Sequence, residues 1–253
     1  MTLLLAFIIG SVLGSFLNVV IDRLSTGRGI VGGRSYCEHC KKTLFPIDLI
    51  PIFSYILLRG KCRFCKKNIP KRLILVEGLT GVTFAFVMSL FMAQAITFLA
   101  AIFLALILWC LIGIFFADIE YGIIPDLLVV LSTVGSIVYL YEKHISLTSH
   151  LYSGLAALLF FLVLFAVTKG RGMGFGDVKF SFVLGFLLGF PSVIVALYIA
   201  FLTGALVSII LVVWRKLHFF GSTIPFGPFL VVSVVISLFW GEKILQIFIN
   251  HFL

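Results

Sequence analysis

Residues 95–117 read AITFLAAIFLALILWCLIGIFFA and run without a charged side chain into Asp118-Ile119-Glu120. A helix of roughly 20 residues, rising about 1.5 Å per residue, covers about 30 Å of hydrocarbon, so this run predicts a transmembrane helix. Comparable runs lie at 3–21, 73–92, 123–141, 149–168, 177–190, 192–214 and 224–250, giving eight predicted spans. The sixth is the shortest and ends at Phe190-Pro191; the eighth carries Glu242 and Lys243. Of 253 residues, 62% are hydrophobic and 11% charged, at a mean hydropathy of +1.24, which is too apolar for a domain that keeps its surface in water. The same figures exclude a disordered, collagen-like or small disulfide-bonded chain. Apolar runs that are continuous rather than alternating exclude a membrane β-barrel. The expected fold class is an all-α polytopic membrane protein of about eight transmembrane helices with a small zinc-ribbon-like loop domain.

Charge orients the spans. Of 19 Lys and Arg, 12 fall in residues 23–72 beside two acids, Glu38 and Asp48, so that segment carries +10 against a net of +9 and the rest of the chain is −1. A basic loop of this kind can mean nucleic acid, but the positive-inside bias of membrane proteins explains it better, and no nucleic-acid partner is expected. The loop is then cytoplasmic, where anionic lipid attracts it by about 1 kcal/mol per basic residue near the surface. Residues 3–21 have no positive charge ahead of them and no small-residue cleavage site behind, and so read as a span rather than a removed signal peptide. With the loop inside, the N-terminus faces outward. Lys169, Arg171, Arg215 and Lys216 then fall in inner loops, and only Lys143 and Lys243 lie outside. The expected organisation is a first helix at 1–22, a cytoplasmic loop domain at 23–72 and a membrane core at 73–253.

The basic loop contains Cys37-Glu38-His39-Cys40 and Cys62-Arg63-Phe64-Cys65, separated by 21 residues. Two CxxC turns can place four thiolates on one ion, and a tetrahedron of four cysteines leaves structural zinc no open position. Lys41, Lys42, Lys61, Arg63, Lys66 and Lys67 crowd around them and balance the charge of a four-thiolate centre. The alternatives are two disulfides, disfavoured in a reducing cytoplasm, or His39 as a substitute ligand. Metal binding would supply folding free energy to a loop too small for a substantial core. Cys110 lies within a span and reads as a buried apolar side chain.

Ionisable groups in spans are costly and tend to be functional. Asp118 closes the third predicted span and Asp177 opens the sixth, within Gly172-Met173-Gly174-Phe175-Gly176-Asp177-Val178-Lys179. By the charge-derived topology, the third span runs inward and the sixth outward, so both carboxylates lie at the cytoplasmic edge. Two carboxyls that meet there share a proton: one acts as base on a water while the other donates to a carbonyl oxygen. Glycines at 174 and 176 are expected to leave the backbone beside Asp177 open to an extended chain. For each aspartate taken alone, a solvated interfacial carboxylate is the default reading. Asp126 follows Pro125 and suits a helix start, and Glu120 reads as solvated. Glu77, a turn inside the second span, could either pair with Lys71-Arg72 or face a polar pocket.

Together these residues resemble the type IV prepilin peptidases, bilayer-embedded aspartic proteases of the GxGD class. The resemblance spans nearly the whole chain. It rests on Gly14-Ser15-Phe16-Leu17-Asn18-Val19-Val20-Ile21 with Arg23-Leu24, both CxxC pairs, Arg59-Gly60-Lys61-Cys62, Val76-Glu77, the segment from Asp118 to Asp126, the box from Gly174 to Lys179, and Ile224-Pro225-Phe226-Gly227-Pro228. It implies that Asp118 and Asp177 are the catalytic pair and that leader peptides of prepilins and pseudopilins are cut at the cytoplasmic face of a prokaryotic inner membrane. It further implies, for bifunctional members, N-methylation of the new terminus with S-adenosylmethionine, an activity associated with the cysteine loop. Gly60, Arg72, Glu77, Gly174, Gly176 and Lys179 become candidates for seating substrate or supporting methyl transfer, and Cys37, Cys40, Cys62 and Cys65 for zinc.

There are two departures. Gly32-Gly33-Arg34-Ser35 lacks the proline that often precedes Arg-Ser, and Lys71-Arg72-Leu73-Ile74-Leu75 replaces the usual Arg-Tyr-Pro before Val76-Glu77. The competing readings are a peptidase without methyl transfer, a transporter, and a zinc-ribbon scaffold. A transporter would place its acids near the midplane, and a scaffold would tolerate loss of both aspartates.

Overall fold

The computed structural model describes residues 1–27, 29, 33–170, 172–214 and 224–252. Gly32 of the loop motif and Arg171, Arg215 and Lys216 of the inner loops lie outside the described residues. Long helices occupy the place of every predicted span: α1 (Thr2–Ser25), α3 (Lys71–Met92), α4 (Phe98–Tyr121), α5 (Asp126–Glu142), α6 (Leu147–Val167), α7 (Phe175–Leu188), α8 (Ser192–Val213) and α9 (Gly227–Phe252), with the short α2 (Phe53–Leu57) in the basic loop. Among the described residues there is no strand, only two isolated antiparallel bridges, Tyr36 with Thr43 and Lys61 with Asn68.

Six of these helices are long and apolar enough to cross a bilayer unaided, against the eight spans predicted. The exceptions are α5, with 17 residues, and α7, with 14. At about 1.5 Å per residue α7 reaches only about 21 Å. It begins after Gly174 and ends at Gly189, whose φ of +67° breaks the helix before Pro191. Ten of its residues are buried, because α5, α6, α8 and α9 all pack on it. A helix walled by other helices has no lipid thickness to match, which is why a length rule written for lipid-facing helices passes over α7.

The chain forms two compact units, Met1–Phe116 and Ala117–Leu253, the division falling inside α4. In the first, α1 packs along α3 through small residues. A Cβ on Gly14 would stand 2.0 Å from the Thr80 hydroxyl oxygen, and one on Gly81 would stand 2.5 Å from that of Ser11, so only glycine permits this approach, as in small-residue helix pairs within membranes. The Trp109 indole N–H donates to the Leu13 carbonyl at 3.0 Å and holds the first part of α4 to α1. In the second unit α6 approaches α7 just as closely: a Cβ on Gly185 would meet the Ser153 carbonyl oxygen at 2.5 Å. The His150 Nδ1–H donates to the Phe186 carbonyl at 2.8 Å and fixes the register of the two helices.

Candidate active site and metal centre

Helix α4 runs beyond the predicted end at residue 117, so Asp118 sits in its last turn, 6% exposed. The backbone N–H of Gly227, the first residue of α9, donates to Asp118 Oδ2 at 2.8 Å across 109 residues of sequence. A side chain at 227 would spoil this contact, since a Cβ there would lie 2.6 Å from the same oxygen. Asp177 is the third residue of α7 and is also 6% exposed. Its own N–H donates to the Gly174 carbonyl at 3.1 Å, and the Gly174 N–H donates back to Asp177 Oδ2 at 3.0 Å. An acid at this position is the usual partner of the free N–H groups at a helix start. The two carboxylates interact electrostatically, so the second unit brings together the two acids that the sequence singles out. Each accepts a hydrogen bond from a backbone N–H.

The neighbouring residues have definite partners. Asp126 starts α5 after Pro125 and forms an ion pair with Lys179, whose ammonium also lies 5.4 Å from the centre of the Phe175 ring. Gly174 is exposed, whereas Gly176 is half-buried, with Ile124 3.0 Å from where its Cβ would stand. Glu120 is exposed. The role of Gly227 has no counterpart in the sequence reading. The turn Pro225-Phe226-Gly227-Pro228 is visible as a motif, but the carboxylate it meets is not.

In the first unit, Arg72 pairs with Asp22 at 2.6 Å. Glu77 accepts the Ile52 backbone N–H at 2.7 Å and contacts Ser15, which is the polar setting among the two open for it. Gly60 has a φ of +67° and donates its N–H to the Tyr55 carbonyl at 2.8 Å, so its glycine serves the turn between α2 and the second CxxC. Asn18 is 4% exposed and donates to the Leu73 carbonyl at 3.1 Å.

The two CxxC turns are copies of one hairpin. Cys37 N–H donates to Lys42 O at 3.0 Å and Lys41 N–H to Cys37 O at 2.8 Å; Cys62 N–H donates to Lys67 O at 2.8 Å and Lys66 N–H to Cys62 O at 3.0 Å. Lys41 and Lys66 both take the left-handed conformation, with φ of +57° and +59°. The four Sγ atoms lie within 4.8 Å of one another, Cys37 and Cys65 at 3.8 Å, and none is in a disulfide. Thiolates bound to zinc at about 2.3 Å stand about 3.8 Å apart in a tetrahedron, so the donor set fits that ion, and His39 is not part of it. Backbone N–H groups around Cys65 and Phe64 hold the Cys62 thiol down to about 7 against its burial. Cys65 is pushed up to about 11: the Lys67 N–H opposes the shift, but desolvation and the three other thiols outweigh it.

Residues 105–209 match the model of the type IV leader peptidase family, and residues 8–91 match that of the bacterial peptidase A24 N-terminal domain. The first stretch contains Asp118 and Asp177; the second contains the four loop cysteines. Similar curated proteins bear the name prepilin leader peptidase/N-methyltransferase. That of Aeromonas hydrophila is 30% identical over 98% of this chain and 94% of its own length. The protein from Burkholderia pseudomallei strain 1026b is 33% identical over 95% of this chain and 86% of its own. The one from Bacillus subtilis strain 168 is 31% identical over 96% of each. No solved structure matches the chain. Full-length similarity of this order, on a helical membrane protein with paired carboxylates and a four-cysteine loop, leads to one conclusion: the chain belongs to the type IV leader peptidase family.

Proposed function

We propose that this protein is an aspartic endopeptidase that removes the leader peptide of type IV prepilins and pseudopilins at the cytoplasmic face of the inner membrane, and then N-methylates the new terminus with S-adenosylmethionine. The observation that carries the peptidase reading is the buried pair Asp118 and Asp177, near enough to interact electrostatically and each oriented by a backbone N–H. One carboxylate takes a proton from water as its oxygen attacks the scissile carbonyl carbon, while the other, protonated, donates to the carbonyl oxygen. Collapse of the tetrahedral intermediate breaks the C–N bond, and the leaving amine takes a proton from the pair. A prepilin held as an apolar helix with a short basic leader presents its scissile bond at the inner interface, the depth inferred for both aspartates. Helical peptide bonds are shielded, so cleavage needs local unwinding, which the exposed backbone at Gly174 accommodates.

Cys37, Cys40, Cys62 and Cys65 would hold one zinc ion, whose chemistry is structural: it ties the two hairpins into one unit. In methyl transfer the new α-amine attacks the sulfonium methyl carbon, the C–S bond breaks to release S-adenosylhomocysteine, and the amine loses a proton. The names of the relatives support this step, as does the match of residues 8–91 to the N-terminal domain model. Incubation of purified protein with a prepilin peptide and isotopically labelled S-adenosylmethionine, read by mass spectrometry, should yield a cleaved peptide carrying one labelled methyl group. Cleavage without label would leave a peptidase alone, and an intact peptide would overturn the reading.

A further inference from the structure

The basic loop exposes a ridge of apolar side chains that the peptidase chemistry does not use. Pro46–Leu49 forms one 3₁₀ turn and Phe53–Leu57 forms α2, and neither contains a buried residue. Ile47, Leu49, Ile50, Phe53, Ile56 and Leu57 are each at least 41% exposed. A patch of this kind left in water is costly and marks an interaction surface.

Two features of the first unit indicate what covers it. One is depth. The Ile52 N–H, between the two short helices, donates to Glu77 at 2.7 Å. Glu77 is the seventh residue of α3, which begins at Lys71, so the ridge is held about 9 Å along that span from its basic start. Interfacial segments bury their apolar faces by about 5–10 Å at the headgroup boundary, and the ridge is fastened at that level. The other is charge. The one acid between residues 46 and 57, Asp48, is turned inward, its side chain 3% exposed and paired with Arg63 at 2.6 Å. Lys41, Lys42, Lys61, Lys66 and Lys67 of the flanking hairpins are all exposed. The ridge itself therefore exposes no carboxylate, and the hairpins beside it present five lysines against one exposed acid, Glu38.

We infer that residues 46–57 are an interfacial anchor that inserts into the leaflet on the loop's side of the membrane, with the hairpin lysines on anionic headgroups and the thiol cluster held above them. The anchor and the Ile52–Glu77 hydrogen bond together give the loop a fixed height over the bilayer. It rests on the membrane reading of α1 and α3 and not on the peptidase reading.

The test uses the full chain in vesicles of phosphatidylglycerol and phosphatidylcholine with bromine on the acyl chains. Ile56→Trp and Leu57→Trp, either of which serves if the other fails to load zinc, should each add tryptophan emission that brominated lipid quenches by about half or more. Lys67→Trp should add emission that it leaves unchanged. Replacing Lys61, Lys66 and Lys67 together by Gln should lower the phosphatidylglycerol retained through purification by about twofold. Emission at 56 and 57 indifferent to brominated lipid overturns the proposal. So does shielding that appears only with an added prepilin peptide or at high protein density, which assigns the ridge to substrate or to a second copy. Cleavage is not measured, so failure of the peptidase reading would leave these results intact.

Discussion

The thiol cluster and the carboxylate pair are built in opposite ways. The cluster arises by repetition: two hairpins with the same hydrogen bonds and the same left-handed lysine each contribute two Sγ atoms from within four residues. The carboxylate pair arises by convergence. Asp118 comes from the end of α4, Asp177 from the start of α7, and the N–H that aims Asp118 from the start of α9. A repeated centre fails when a ligand is lost, and its failure stays within the loop. A converged centre also fails when any contributing helix shifts, because a displacement of about 1 Å costs about a hundredfold in rate.

The largest expected effect follows from the pair itself. Asp118→Asn or Asp177→Asn should each lower leader cleavage by about a thousandfold or more, the range of a lost acid or base, while the protein inserts, purifies and keeps its zinc. The parent rate should fall on both the acid and the alkaline side of an optimum, since the pair must hold one proton. A single variant that cuts at near the parental rate is not in the pair, and a rate that climbs steadily with pH or depends on added metal would point to metal-bound hydroxide. Gly227→Ala comes next. It keeps the N–H but drives a Cβ to 2.6 Å from Asp118 Oδ2, and should cost about ten- to a hundredfold in cleavage. Unchanged kinetics would mean that convergence at α9 is dispensable.

The same contrast explains what could be read from residue order. The CxxC pairs are legible because the spacing that defines them is local and survives into the structure as two hairpins. The helices are legible because hydropathy is summed over a window, and all eight predicted places are filled. The shortness of α7 is legible as well, since the predicted span 177–190 and the helix each cover 14 residues; whether such a helix faces lipid or protein is not, because that depends on α5, α6, α8 and α9. Asp118 and Asp177 can be paired from charge bias and motif, but the Gly227 donor 109 residues away cannot. Glu77 is recognisable as out of place in a span, whereas its partner, the backbone of Ile52, carries no side-chain signal.

A smaller effect on cleavage, and a larger one on methyl transfer, is expected from the loop. Cys62→Ser should release zinc, seen as a loss of about one ion per chain, and should impair methyl transfer more than cleavage, which drops several-fold if the loop helps seat the basic leader. The metal should also leave with acid. Cys62 titrates near 7, below the usual thiol, so the stability it contributes is full above the ordinary thiol range and is lost as pH falls through about 7. Every bound thiolate must then take up a proton. Chelator competition should accordingly extract zinc more readily at pH 6 than at pH 8. Equal retention at both, or no metal in carefully prepared parent protein, would remove zinc as the organiser of the hairpins.

The smallest effect tests whether the converged centre extends to its nearest ion pair. Asp126 and Lys179 join the first turns of α5 and α7, two residues from Asp177, so motif position alone would make them part of the catalytic machinery. Their exposure argues otherwise. The Asp126 side chain is 71% exposed and that of Lys179 is 36% exposed, and pairs open to solvent contribute about 0–1 kcal/mol because water already solvates both partners. Asp126→Asn should therefore leave cleavage within about twofold of the parent, and a double-mutant cycle with Lys179→Gln should give a coupling below about 1 kcal/mol. A loss on Asp126→Asn that approached that of Asp177→Asn would place the pair inside the reacting unit. It would also mean that the start of α5 positions the chemistry as directly as α4, α7 and α9 do.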